Sequence, residues 1–210
     1  MLLWLFVLCA QNATGAVPAP ARTLLVYGDS LSAGYGLPSD SSWVSLLAAR
    51  LNQQGLDYKV ANASISGETT LGGARRIPAA LTQHKPAIVL LALGANDGLR
   101  GQSTESVRVN LEAIIVASRK AKSQVVLIGM RLPPNYGNAY TSKFHAVYSD
   151  LAEKHRLPLV PFMLEGFAEK PEWFLADGVH PASRAQPLIL ETIWKTVQPL
   201  LSEKKLFKFK

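Results

Sequence analysis

One serine in this chain stands where a nucleophile could work. Ser30 lies in the stretch Gly28-Asp29-Ser30-Leu31, directly after an apolar run that ends at Gly28. An apolar run that stops at a glycine is typical of a buried strand entering a turn. Ligands bind at the carboxyl ends of the strands in open α/β sheets. The sequence therefore predicts that Ser30 lies at a binding edge.

An aspartate and a histidine near the C-terminal end could activate that serine. Asp177 and His180 belong to the stretch Asp177-Gly178-Val179-His180. A serine hydroxyl is a poor nucleophile at neutral pH and needs a base within hydrogen-bonding reach. His180 could take the proton and return it to a leaving group, while Asp177 holds the imidazole in one tautomer. We therefore expect Ser30, Asp177 and His180 to form a catalytic set.

Attack on a carbonyl creates an oxyanion, and three groups could stabilise it. The candidates are the backbone N–H groups of Ser30 and Gly67 and the side-chain amide of Asn96. Glycine lets the backbone approach a substrate closely, and an amide donates a hydrogen bond without carrying charge. Donors placed in advance are worth about 3–4 kcal/mol each in a dry site.

Each of these signals has a simpler interpretation when it is taken alone. A serine after a strand is commonly a helix cap, and a glycine there is commonly just a turn. An asparagine such as Asn96 is often a turn or cap residue, and Asp177 with His180 could cap a helix while the ring faces solvent. Their occurrence together in one chain favours the catalytic interpretation.

Metal and cofactor motifs are not evident in the sequence. His84, His145 and His155 have no cysteine or histidine partner at metal-ligand spacing. The stretch Gly34-Tyr35-Gly36 lacks the third glycine and the acidic residue of a dinucleotide fingerprint. We therefore expect no metal and no cofactor.

The segments between these residues alternate between strand and helix patterns. Predicted strands cover residues 23–27, 58–62, 87–93, 124–129 and 157–160. Predicted helices cover residues 42–54, 69–84 with an interruption at Pro78, 104–120, 143–155 and 183–201. Continuous apolar strands between helices indicate a parallel sheet covered on both faces, and right-handed crossovers make it a three-layer α/β/α sandwich. All strand ends then meet at one edge.

Composition favours one packed domain. Hydrophobic residues make up 48% of the 210-residue chain and charged residues 18%, which is typical of a globular fold. The net charge is +7, and four of these charges are lysines of the last seven residues, Lys204, Lys205, Lys208 and Lys210. Without that tail the domain is only mildly basic, which gives nucleic acid no strong claim as a partner.

The two ends of the chain differ from the predicted domain at residues 22–203. Residues 1–21 contain an apolar run followed by small residues and proline, which predicts a signal peptide cleaved after Ala16 or Ala21. A buried N-terminal strand or helix is the alternative. The only cysteine, Cys9, lies in this segment. Residues 204–210 form a basic tail, which is either a frayed end or a weak contact with anionic membrane surfaces.

The order of these motifs resembles the SGNH hydrolases, also called the GDSL esterase/lipase family. Within it the chain is similar to a bacterial periplasmic branch with thioesterase, lysophospholipase and arylesterase activities. The segments that carry the resemblance span nearly the whole predicted domain in order; they are Tyr27–Gly36, Asn62–Thr70, Gly94–Gly101, Met130–Gly137 and Asp177–Pro181.

The resemblance implies a five-stranded, flavodoxin-like parallel sheet and a serine nucleophile at Ser30. It places the oxyanion glycine at Gly67, the oxyanion asparagine at Asn96, and the acid and base at Asp177 and His180. It also implies an acyl pocket near four residues for which ordinary loop packing is an equal alternative, namely Leu99, Leu132, Pro133 and Tyr136. We expect a periplasmic or secreted monomer that hydrolyses acyl esters or thioesters, lysophospholipids and aryl esters included.

Two other functions remain open at this point. An acyltransferase would use the same site, with an alcohol in place of water, and only its products would differ. A lipid- or carbohydrate-binding protein without catalysis could share the fold, although a binder needs neither a nucleophile nor a base.

Overall fold

The computed structural model describes residues 21–201, which form a five-stranded parallel sheet between two layers of helices. The strands are β1 (Arg22–Gly28), β2 (Tyr58–Asn62), β3 (Ile88–Ala92), β4 (Gln124–Ile128) and β5 (Leu159–Val160). The helices are α1 (Ser30–Ala33), α2 (Trp43–Gln53), α3 (Thr70–His84), α4 (Ala95–Leu99), α5 (Thr104–Lys120), α6 (Asn138–His155) and α7 (Gln186–Leu201).

The sheet has the strand order β2-β1-β3-β4-β5, and every neighbouring pair is parallel. This order is the flavodoxin-like doubly wound arrangement, so the predicted fold class is confirmed. Helix α2 packs against α7, whereas α5 packs against both α3 and α6. Right-handed crossovers from a sheet of this order place these two helix groups on opposite faces.

The core lies on both sides of β1 and β3. The five residues of β3 are all buried, as are the five residues of β1 from Leu24 to Gly28. Strands that are buried on both faces need continuous apolar sequence rather than alternation, which explains the runs at residues 24–27 and 88–93. One face of α5 packs against this core, since Val107, Leu111, Ile114 and Ile115 are fully buried.

Hydroxyl side chains cap the N-termini of α2 and α3. Ser42 Oγ accepts a hydrogen bond from the Ser45 N–H at 3.1 Å at the start of α2. Thr69 Oγ1 accepts from the Gly72 N–H at 3.2 Å at the start of α3. Each side chain satisfies a backbone donor that the helix leaves unpaired.

The structure differs from the sequence prediction at several boundaries. Helix α3 continues through Pro78 without interruption, because the burial of Ile77, Ala80 and Leu81 offsets the cost of about 3 kcal/mol for an interior proline. Helix α6 begins at Asn138 rather than at residue 143. The predicted helix 183–201 starts as a 3₁₀ turn, Ser183–Ala185, before α7. The short helices α1 and α4 carry too few residues to show a hydrophobic period.

The predicted signal peptide and basic tail lie outside the described residues, apart from residue 21. Within residues 21–201 no helix has both the length and the hydropathy to cross a membrane.

Candidate active site

The candidate site lies at the carboxyl edge of the sheet, between β1 and β3. The end of β1 is level with the end of β3, since Gly28 pairs with Ala92. The chain leaves β1 towards β2 on one side, whereas β3 leads to β4 on the other. Such a reversal of strand order opens a crevice in doubly wound sheets. Ser30 and Asn96 flank this crevice from the two strand ends.

A buried aspartate builds the turn that presents Ser30. Asp29 is the N-cap of α1, and its Oδ1 accepts a hydrogen bond from the Leu31 N–H at 3.0 Å. The residue is fully buried, and burial raises the pKa of its carboxyl to about 7 against the opposing effect of the Leu31 N–H. Since Ser30 is the first residue of α1, its backbone N–H has no partner within the helix.

The structure brings Ser30, His180 and Asp177 into one hydrogen-bonded chain. His180 Nε2 lies 2.9 Å from Ser30 Oγ, and His180 Nδ1 lies 2.7 Å from Asp177 Oδ2. An ionised carboxylate can only accept, so the ring proton sits on Nδ1 and Nε2 is free to accept from the serine hydroxyl. These are the tautomer and the distances that a general base requires.

Asp177 stays ionised because its own loop donates to it. Oδ1 accepts from the N–H groups of Val179 and His180 at 2.9 and 3.0 Å. These two bonds and the one from the His180 ring lower the pKa of the carboxyl to about 2. The loop is held in turn by backbone bonds from Leu175 to the His180 carbonyl and from Ala182 to the Trp173 carbonyl.

An aromatic ring lies against the imidazole of His180. The ring centroids of Tyr35 and His180 are 4.4 Å apart with a tilt of 38°. Tyr35 is 53% exposed. The sequence assigned no role to Tyr35, which stands in the stretch Gly34-Tyr35-Gly36 that lacks a dinucleotide fingerprint.

The three groups predicted to stabilise an oxyanion are the N–H groups of Ser30 and Gly67 and the side-chain amide of Asn96. Gly67 has φ +77°, a left-handed conformation that favours glycine. Within residues 21–201 no acceptor pairs with the N–H of Ser30 or of Gly67. The Asn96 amide donates to the Glu68 carbonyl at 3.0 Å and more weakly to Asp29 Oδ2 at 3.4 Å. The amide proton that points weakly towards Asp29 is the one that could form a hydrogen bond to an oxyanion.

A cavity of about 430 Å³ opens beside the nucleophile. Of the four residues predicted for an acyl pocket, Leu99, Leu132 and Pro133 line this cavity. Tyr136 is not among the lining residues, and its hydroxyl donates a hydrogen bond to the Leu99 carbonyl at 3.0 Å.

Much of the cavity wall comes from residues that the sequence analysis missed. The additional apolar lining residues include Met130, Phe162, Leu164, Phe174 and Val179. Several of them follow β5 in a stretch without long helices or strands, so no hydrophobic period marked them. A usable signal was the density of aromatic and aliphatic residues immediately before Asp177.

No cluster of three or more histidine, cysteine, aspartate or glutamate side chains in the described part of the chain is arranged to hold a metal ion.

Comparison with known proteins gives a consistent set of matches. The profile described as GDSL-like Lipase/Acylhydrolase family matches residues 26–186. The chain is 48% identical to esterase TesA of Pseudomonas aeruginosa over 183 residues, covering 87% of this chain and 91% of that protein. It is 42% identical to thioesterase 1/protease 1/lysophospholipase L1 of Escherichia coli over 184 residues, covering 88% of this chain and 87% of that protein.

The fold is similar to a solved esterase structure. The crystal structure of the psychrotrophic esterase EstA from Pseudoalteromonas sp., inhibited by monoethylphosphonate, matches with a TM-score of 0.82 and 37% identity. The match covers 87% of this chain and 100% of that one.

Proposed function

This chain belongs to the GDSL-like lipase/acylhydrolase family and is a serine ester hydrolase, and we propose that its reaction runs through an acyl-enzyme on Ser30. The single observation that supports this most is the hydrogen-bonded chain from Ser30 Oγ through His180 to Asp177. It joins a hydroxyl to a base and the base to an orienting carboxylate, which is the arrangement that nucleophilic catalysis requires.

In the first half-reaction Ser30 Oγ attacks the substrate carbonyl carbon while its proton passes to His180 Nε2. Asp177 stabilises the resulting imidazolium through the bond at Nδ1. The tetrahedral intermediate then collapses and breaks the carbon–oxygen bond of an ester or the carbon–sulfur bond of a thioester. His180 gives its proton to the leaving alcohol or thiol, and the acyl group stays on Ser30.

In the second half-reaction water replaces the leaving group. His180 takes a proton from the water as it attacks the acyl carbon, and the ester bond to Ser30 breaks. The proton returns to Ser30 Oγ, and the carboxylic acid leaves. In both steps the oxyanion would lie between the N–H groups of Ser30 and Gly67 and the Asn96 amide, which are set in place before the charge develops.

We assign the cavity beside Ser30 to the acyl chain. Its apolar wall suits a hydrocarbon chain, and the curated relatives are named for esters, thioesters and lysophospholipids. Pockets of this kind bind apolar groups by removing them from water while a few polar groups fix orientation. Acyl thioesters, lysophospholipids and aryl esters are the substrate classes we propose.

Ser30→Ala tests the nucleophile. Hydrolysis of p-nitrophenyl butyrate should fall by about 10⁶-fold in kcat, since the remaining groups cannot form the acyl-enzyme. Ser149→Ala, on the exposed face of α6, is the matched control and should retain wild-type rates. Wild-type activity in Ser30→Ala, with an unchanged circular dichroism spectrum, would refute the assignment.

Leu164→Trp tests the cavity. Leu164 is a partly buried lining residue, so the indole can enter the space meant for the acyl chain. Decanoate esters should lose about 10-fold or more in kcat/KM while acetate esters change little. Leu188→Trp on the exposed face of α7 is the control. An equal loss for acetate and decanoate would place the acyl chain elsewhere.

We also propose export of the protein to the periplasm or its secretion, with residues 1–21 as the signal. The support is the sequence pattern of an apolar run followed by small residues. N-terminal sequencing of the protein from a periplasmic fraction should begin after Ala16 or Ala21. Protein found only in the cytoplasm, with Met1 intact, would contradict the proposal.

A further inference from the structure

Two charged side chains that the reaction scheme does not use, Glu68 and Arg76, form an ion pair at the loop of residues 63–68, which contains Gly67. Arg76 of α3 donates from Nε to Glu68 Oε2 at 2.8 Å and from Nη1 to the Ala63 carbonyl at 2.8 Å. Ala63 directly follows β2, and Glu68 directly follows Gly67. One guanidinium therefore joins the beginning of this loop to its end.

Glu68 connects this ion pair to the other two proposed oxyanion donors, the Gly67 N–H and the Asn96 amide. Its backbone carbonyl accepts the Asn96 amide at 3.0 Å, and its Oε1 accepts the Thr69 N–H at 3.0 Å. A Cβ at Gly72 would overlap Glu68 Oε1, so the glycine leaves the space in which the carboxylate lies. Glu68 is thus fixed through its backbone, its carboxylate and its neighbour in α3.

Arg76 also contacts the strand that leads to the nucleophile. Its guanidinium lies 4.2 Å from the centroid of the Tyr27 ring, and Tyr27 directly precedes Gly28. The Tyr27 hydroxyl donates to the Gly73 carbonyl at 2.8 Å, which ties the ring to α3 as well. Arg76 therefore lies against both chain segments that supply backbone donors to the site.

The ion pair is shielded from water. The side chains of Glu68 and Arg76 are 12% and 25% exposed. Arg76 Nη2 is buried and has no hydrogen-bond partner among residues 21–201. A largely buried ion pair with an unsatisfied donor contributes little stability, because desolvation offsets most of the attraction. Such an arrangement is better explained by the geometry that it imposes.

We propose that Arg76 is a positioning residue for ester hydrolysis. Together with Glu68 it holds the Gly67 N–H and the Asn96 amide where the oxyanion forms. This inference rests on the proposed function of Ser30, Gly67 and Asn96. Donors act on the transition state only when they are aligned in advance, and a misplacement of about 1 Å costs about 10²-fold in rate.

Steady-state kinetics of three variants with p-nitrophenyl butyrate test the proposal. In Arg76→Met and in Glu68→Gln, kcat should fall by about 10- to 100-fold while KM stays within about threefold, since only the transition state uses the donors. Arg76→Lys keeps the charge but cannot hold Glu68 and Ala63 at once, so its loss should be intermediate. Arg108→Met removes a similar guanidinium from an exposed ion pair and should leave kcat unchanged.

A reversible alkyl trifluoromethyl ketone gives the second measurement, because its tetrahedral adduct on Ser30 places an oxyanion among the donors. Its inhibition constant should rise by the same factor as kcat/KM falls in each variant. A merely structural role would lower the unfolding temperature of the Arg76 and Glu68 variants and leave this constant at its wild-type value. That result, or a wild-type kcat in Glu68→Gln, would overturn the inference.

The outcomes separate this inference from the proposed function. Wild-type activity in Ser30→Ala would end the assignment of the nucleophile itself. An inactive Ser30→Ala beside fully active Arg76→Lys and Glu68→Gln would end only the role of Arg76. If Arg76→Met does not fold, Arg76→Lys and Glu68→Gln decide the question by the same two measurements.

Discussion

Two aspartates next to the nucleophile carry the same carboxyl group in opposite environments. Asp29 is fully buried, and burial raises its pKa to about 7. The side chain of Asp177 is 40% exposed, and the N–H groups of His180 and Val179 with the His180 ring lower its pKa to about 2. The buried carboxyl caps the nucleophile turn, whereas the exposed one supplies a lasting negative charge to the base.

At one edge of the sheet, Asp29 has a structural role in the nucleophile turn, whereas Asp177 has a chemical role beside the base. The turn around Asp29 is rigid because it is buried and hydrogen-bonded on two sides, to Leu31 and towards Asn96. The loop around Asp177 achieves its geometry at the surface through short backbone bonds. The same substitution in the two places, aspartate to asparagine, should therefore have different consequences.

Of the two substitutions, Asp177→Asn should have the larger effect, and the effect should be a loss of kcat. An amide at this position can donate to Nδ1, which would force the ring proton onto Nε2 and remove the base from Ser30. We expect kcat for p-nitrophenyl butyrate to fall by about 10⁴-fold with KM little changed. Asp150→Asn on the exposed face of α6 is the control. A loss below tenfold would show that Asp177 does not set the tautomer.

Asp177→Asn should also change the response to acid. The folded pKa lies below the ordinary value of 3.8, so the ionised carboxyl contributes stability above that value and loses it as pH falls towards about 2. The free energy of unfolding of the wild type should therefore approach that of the variant below about pH 4, in urea titrations at several pH values. A constant difference across that range would contradict the lowered pKa.

Asp29→Asn should remove a pH dependence of stability that has the opposite sign to that of Asp177. Between its ordinary pKa of 3.8 and about 7 the unfolded carboxyl is ionised while the folded one remains protonated. The folded state then binds more protons, so the free energy of unfolding falls as pH rises through this window, by at most about 1.4 kcal/mol per pH unit. The variant lacks this dependence. The free energy of unfolding, measured by urea titration from about pH 4 to 7, checks this. The same pH dependence in the wild type and in Asp29→Asn would refute the buried, protonated state.

Substitution of Tyr35 should give the smallest loss of kcat, and it tests the ring contact with His180. Its ring lies against the imidazole of His180, with the ring centroids 4.4 Å apart, and limits the orientations of that ring. We expect Tyr35→Ala to lower kcat by about 2- to 10-fold, as an aromatic contact is worth about 0.5–1.5 kcal/mol, while Tyr35→Phe keeps the wild-type rate. An equal loss in both variants would transfer the effect from the ring to the hydroxyl.

Sequence patterns predicted most of the scaffold because they depend on neighbours along the chain. The alternation of apolar strands and amphipathic helices located all five strands and the long helices, and the parallel sheet followed from it. The interruption predicted at Pro78 was wrong because local propensity does not include the burial of Ile77 and Leu81. The motif residues Ser30, Gly67, Asn96, Asp177 and His180 were identifiable because each follows or precedes a recognisable element.

The sequence by itself determined the fold class and the types of residue available at one edge of the sheet. Only the tertiary structure decided which carboxyl is buried and which is exposed, because burial depends on segments that are distant along the chain. It also decided the cavity wall around Phe162 and Phe174 and the contacts of Arg76 with Glu68, Ala63 and Tyr27. Local pattern shows where a side chain starts, whereas packing determines what it touches and whether its charge is retained.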